Sequence, residues 1–156
     1  MNLSPNTGRS DIGGSFPEGN RLRRVFEAVG AVEWPSLGFQ VEVGSDLFAT
    51  RMLASVLVHA YSGGRFSSDE IEEACRNEDD FRYLCSGDAP EARVFRRFRR
   101  IHASALIEGL SQLWVTSGTP DPEISNRENS GQLRDLARAR LCLEAAVAAD
   151  SLALDF

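Results

Sequence analysis

PEARVFRRFRRIH, residues Pro90–His102, packs five arginines into a short segment punctuated by apolar side chains. Projected at about 100° per residue, Val94, Phe95, Phe98, Ile101, His102 and Ala105 gather on one side of a helix, while Arg93, Arg96, Arg97 and Arg100 gather on the other. Arg99 falls on the flank. The phenylalanines then fasten the helix to a core, and that orientation sends the arginines outward. Asp88 is placed to cap the helix, Pro90 sits in its first turn where a missing amide costs little, and Glu91 follows the cap by three residues. The pattern runs on through ASALIEGLSQLWV, so one helix is expected to about Ser117.

Working outward, the same period recurs on both sides. Leu22, Val25, Phe26 and Val29 predict a short helix over Arg21–Val29 that Gly30 closes. Pro35 excludes regular helix in the next stretch, where FQVEV alternates like an extended segment. From Leu47 to about Ser62, Phe48, Met52, Leu53, Val56, Leu57, Ala60 and Tyr61 form one broad stripe after a Ser45 or Asp46 cap, and Gly63-Gly64 ends it. Ser67 and Glu70 have the spacing of a reciprocal capping box, with Ile71, Ala74 and Cys75 facing inward. Asp79 or Asp80 caps a short turn carrying Phe81, Tyr83 and Leu84, stopped by Ser86 and Gly87. After the turn-rich TSGTPDPEISNRENSG, a last helix is expected over Gln132–Ala149.

The expected fold is therefore all-α: a compact multi-helix domain with a helix-turn-helix-like core, and a C-terminal helix after a linker. Residues 1–15 read as a disordered lead-in, 16–117 as the helical domain, 118–131 as the linker and 132–156 as the C-terminal helix and tail. A chain of 156 residues fits one ordinary domain. No apolar run approaches the roughly 20 residues of a membrane span, and the N-terminus lacks the pattern of a secretory signal, so a cytoplasmic location and no membrane partner are expected. Cys75, Cys85 and Cys142 are odd in number and lack metal or redox spacing, which predicts reduced, mostly buried thiols and no metal site.

A net charge of -6 argues against indiscriminate coating of nucleic acid but not against a local basic face. An outward row of guanidinium groups suits phosphate, because each offers a planar fork of donors and stays charged at any cellular pH. The rival reading is internal. Asp69, Glu70, Glu72, Glu73, Glu78, Asp79 and Asp80 form an acidic block just upstream that can neutralise the row within the fold or across a dimer.

The segment from Tyr61 to His102 also resembles the N-terminal helical domain of bacterial insertion-sequence transposases of the DDE type. The elements that carry the likeness are Ser67-Ser68, Ile71-Glu72, Phe81-Arg82-Tyr83-Leu84, Gly87, Pro90-Glu91 and Phe98-Arg99, in order and with compatible gaps, and FPEGNRLRRVFEAVGAVEW looks like the start of that domain. The resemblance covers about residues 16–117. It implies a DNA-end-binding region in which the helix after Pro90 faces double-stranded DNA; the arginines read from that helix, Arg93, Arg96, Arg97, Arg99 and Arg100, are then the expected nucleic-acid-binding set. It departs from the family pattern at Asp69, where a basic residue is usual, at Glu91, and at Arg93 and Val94, where hydroxyl residues are usual. The first departure reduces the basic surface, and Arg93 extends it.

In that family the catalytic carboxylates sit in a separate RNase-H-like domain, for which too few residues follow the linker here. The closing SLALDF looks like a first catalytic strand with Asp155, but one carboxylate cannot make a two-metal site. No catalytic residue and no cofactor are expected. His59 and His102 lack a nucleophile or second His at a catalytic spacing and read as packing residues, as do Trp34 and Trp114. Gly63-Gly64 has no accompanying phosphate-loop pattern. The sequence thus points to a non-catalytic, transposase-derived DNA-binding protein acting as regulator or recognition subunit. The alternative is a protein-interaction module on the same fold, with a protein partner or a homodimer.

Overall fold

A computed structural model describes residues 19–34, 50–117 and 128–154. Among them the chain forms seven helices and no strand: α1 Gly19–Gly30, α2 Thr50–Ser62, α3 Ser68–Asn77, α4 Asp79–Leu84, α5 Ala92–Ile101, α6 Ala103–Ser117 and α7 Glu128–Leu154. The protein is all-α, as its periodicity predicts. The alternating FQVEV, the Ser45 or Asp46 cap, Asp155 and most of the expected linker lie outside the described residues.

α2 is the central strut, because every side chain from Leu53 to Tyr61 is buried. Around it, Leu22, Val25 and Val29 of α1, Ile71 of α3, Phe81 and Leu84 of α4, Phe95 and Phe98 of α5, and Leu106 and Leu110 of α6 complete one hydrophobic cluster. α6 lies against α1, α2 and α7, and α7 in turn reaches α2 and α3. Full burial of each large apolar side chain contributes about 1.5–3 kcal/mol, so this cluster dominates folding. Cys75 and Cys85 are buried free thiols and Cys142 is a half-buried one; burial pushes the Cys75 and Cys142 thiols up.

The stop signals act as expected, with one exchange of roles. α2 closes with Gly64 at φ 80°, the Arg65 amide donating to the Ala60 carbonyl at 2.9 Å and the Gly64 amide to Tyr61 at 3.1 Å. The end of α4 repeats this geometry, but there Ser86, at φ 54°, takes the left-handed cap and Gly87 follows at φ 81°. The Gly87 amide donates to Arg82 at 3.0 Å.

Several helix boundaries differ from the sequence expectation, among them α1, which begins at Gly19 and includes Gly30. The helix expected from Pro90 to Ser117 is two helices, broken at His102, whose φ of -107° and ψ of 25° leave the helical region. No Pro or Gly marks the break. It falls where the His102 ring packs on Phe98, centroids 4.4 Å apart, and meets the edge of Trp34 at 6.1 Å. The first helical residue of α5 is Ala92, so Pro90 precedes the helix and Glu91, not Asp88, is the N-cap. α7 runs from Glu128 to Leu154, longer at both ends than Gln132–Ala149.

Candidate nucleic-acid interface

α5 is divided as its sequence dictates, with the division rotated. Val94, Phe95, Phe98 and His102 are buried, whereas Ile101, expected inside, is 41% exposed. Arg99, expected on the flank, is 5% exposed. A turn of the buried sector by about 30° toward the Arg99 side accounts for both departures. Its cause is α7, which presents Asp150 to that flank.

Asp150 is the hub of this contact. One carboxylate oxygen accepts the backbone amide of Ser68 at 2.8 Å; the other accepts the Ser68 hydroxyl at 2.8 Å and the Arg99 guanidinium at 2.6 Å. Arg99 also approaches the Tyr61 hydroxyl at 3.5 Å. Burial pushes the Tyr61 phenol up to about 12, despite the guanidinium beside it. Burial acts to lower the Arg99 pKa, but Tyr61 and Asp150 outweigh it and hold it above its ordinary value. Buried and paired with Asp150 in this way, Arg99 is set apart from the other four arginines.

Those four sit at or near the surface. Arg93 is exposed and paired with its neighbour Glu91 at 2.6 Å. Arg97 and Arg100 are exposed. Arg96 is half-buried, 3.7 Å from Asp69 of α3. An exposed pair such as Arg93–Glu91 contributes about 0–1 kcal/mol, too little to hold a guanidinium against a phosphate.

Three members of the acidic block are engaged elsewhere. Glu72 pairs with Arg76 at 2.6 Å and accepts the Ala92 amide at 3.3 Å, so it caps α5 from a different helix. Glu78 pairs with Arg65 at 2.5 Å, and Asp80 is hydrogen bonded to buried His59 at 2.5 Å. Burial acts to raise the Asp80 carboxyl, but the hydrogen bond and charge of His59 hold it below its usual value. Glu70, Glu73 and Asp79 are exposed. Within the acidic block, Asp69 reaches the arginine row, through Arg96.

The reciprocal capping expected at α3 is replaced by a remote one. Ser67 is the N-cap, but its side chain makes no cap hydrogen bond, and the start of α3 is satisfied instead by Asp150. No local sequence signal could have found Asp150, which lies 82 residues away in the chain. His59 and His102 are both buried among aromatic rings, with Phe81 and with Phe98 and Trp34. Burial lowers the His102 pKa. Among the described residues, no group of three or more His, Cys, Asp or Glu is placed to hold a metal ion, and no helix is long and apolar enough to cross a membrane.

No curated protein and no solved structure matches the chain. A family model described as a transposase domain (DUF772) matches residues 10–100, more than half of the chain and inclusive of α1 to almost the end of α5. With the ordered motifs of α3 to α5 in place around the arginine helix, the chain belongs to the transposase domain family DUF772.

Proposed function

We propose that this chain is a transposase-derived DNA-binding protein of the cytoplasm, a regulator or recognition subunit that binds duplex DNA without cutting it. The observation that carries the reading is the division of α5, with Phe95 and Phe98 buried and Arg93, Arg97 and Arg100 exposed on the other side. α4, the turn over 85–91 and α5 then serve as a helix-turn-helix-like unit with α5 against the duplex. The arginines contact backbone phosphates and so set register, and one of them reaches a base edge in the major groove. Arg96 joins them by exchanging Asp69 for a phosphate. Arg99 serves as the internal anchor.

The test is a shift assay on short duplexes at low salt with an Arg93→Ala/Arg97→Ala/Arg100→Ala variant. Loss of three phosphate contacts should weaken binding at least about tenfold and flatten the log-log salt slope by roughly 3. An intact helical spectrum with undiminished affinity would remove α5 from the interface. Metal-dependent strand cleavage by the purified chain would contradict the non-catalytic part of the reading.

A protein-interaction module is the second reading, favoured by one feature: the exposed Asp69, Glu70 and Glu73 of α3, which oppose a polyanion. A stable protein complex without affinity for duplex or single-stranded nucleic acid would select it.

A further inference from the structure

α7 carries apolar side chains on two opposite sides. Ala139, Leu143 and Ala146 are buried against the bundle beside Asp150. Leu133, Leu141 and Leu152 point the other way and are 67%, 64% and 64% exposed, and Ala137, Glu144 and Ala148 are exposed with them. At about 100° per residue, these six positions fall within a sector about 100° wide, opposite Ala146, along about 28 Å of helix. Single exposed leucines are ordinary; a stripe of this length, apolar except at Glu144, marks a contact surface. Beside it, an open groove whose lining includes Ala103, Leu143, Val147 and Ala148 together with the charged Arg99, Arg100 and Glu144 extends this surface toward α5.

The order of residues in the stripe says what covers it. Leu133, Ala137, Leu141, Glu144, Ala148 and Leu152 are spaced by four, four, three, four and four residues, a series that reads the same in both directions. Sizes match from the ends inward, Leu133 with Leu152 and Ala137 with Ala148, and only the central Leu141 and Glu144 differ. A stripe that is nearly its own reverse is complementary to itself across a twofold axis.

We infer that two copies of this chain associate through antiparallel pairing of their α7 helices. Leu133 of each copy meets Leu152 of the other, and Ala137 meets Ala148, where the small side chains let the backbones approach. At the centre, Leu141 lies on the aliphatic stem of Glu144, and that carboxylate reaches Arg140 of the second copy. The pairing is independent of the DNA reading, because it uses a helix beyond the matched family segment and none of the arginine row.

Sedimentation of the full chain from micromolar to millimolar concentration should show a two-chain species that grows with concentration. Arg140 and Glu144 lie on the exposed face, so Arg140→Glu and Glu144→Arg should preserve the helical circular dichroism spectrum, and each should weaken self-association at least about tenfold by juxtaposing like charges. An equal mixture of the two variants should restore association as a mixed pair, an outcome that a merely structural role for either residue does not produce. Under mild oxidation, Leu133→Cys mixed with Leu152→Cys should form a disulfide linking positions 133 and 152, while neither variant alone links that position to itself. A chain that stays monomeric throughout, a mixture that fails to associate, or a mixture that cross-links no better than either variant alone would overturn the pairing.

Discussion

α5 and α7 bury their inner faces on opposite principles. α5 sorts its residues, arginines on one side and phenylalanines on the other, so hydrophobic burial leaves it little choice of orientation. α7 does not sort them: alanines and leucines occur all round it, and either of two faces could enter the bundle. Asp150 decides between them, because a carboxylate met by Ser68 and Arg99 at 2.6–2.8 Å is stable inside only in that one rotation. The comparison teaches that a helix with segregated faces carries its own docking instruction, whereas an evenly apolar one takes its instruction from a single polar contact.

That contrast breaks most directly at Asp150. Asp150→Ala leaves Arg99 buried without its counter-charge and should cost about 3–5 kcal/mol in urea unfolding, as should Arg99→Ala in reverse. Replacing both together, with Arg99→Met and Asp150→Leu, should recover most of the loss, since an apolar pair needs no neutralisation. Single variants costing less than about 1 kcal/mol would mean that alanine packing seats α7, and the distinction from α5 would collapse.

A smaller effect sharpens the α5 side. His102 is buried with its pKa lowered, so the unfolded chain takes up a proton at this site before the folded one does as pH falls. The stability it contributes is present above its ordinary value near 6.5 and is lost as the solution is acidified toward its lower folded value. Asp80 acts in the same direction at lower pH, its contribution present above the usual 3.8 and lost as pH falls through its depressed value. The urea midpoint should therefore drop between about pH 7 and about pH 5, and His102→Phe should flatten that drop. Smallest of all, Arg100→Ala on the exposed face should change stability by no more than about 0.5 kcal/mol, whatever it does to DNA affinity.

Apart from the break between α5 and α6, the order of the helices was legible because apolar residues recur every three or four positions along most of them. The stripe of Met52, Leu53, Val56, Leu57, Ala60 and Tyr61 declares a helix, and Gly64, Ser86 and Gly87 declare where turns fall. The transposase relation was legible for a related reason: Ser67-Ser68, Ile71-Glu72, Phe81 to Leu84 and Pro90-Glu91 keep their order in a chain where packing tolerates little shift. The candidate site was half legible. Arg93, Arg97 and Arg100 lie outside as the wheel projects, but Arg99 and Ile101 exchange expectations, since no wheel drawn on α5 alone includes α7.

Helix ends show the same limit. Asp88 and the Ser67–Glu70 box carry the local spacing of caps, yet the amides that open α5 and α3 go to Glu72 and Asp150. A helix terminus needs an acceptor, and the sequence announces that need; which carboxylate meets it depends on what the packed bundle brings within about 3 Å.

By itself the sequence determined an all-α chain with an amphipathic arginine helix, because periodic burial is a property of neighbours along the chain. Only the tertiary structure decided that Arg99 turns inward, that remote carboxylates cap α3 and α5, and that α7 keeps one apolar stripe outside. Each of these depends on a charge or a surface satisfied by residues far away in sequence, where no local period reaches.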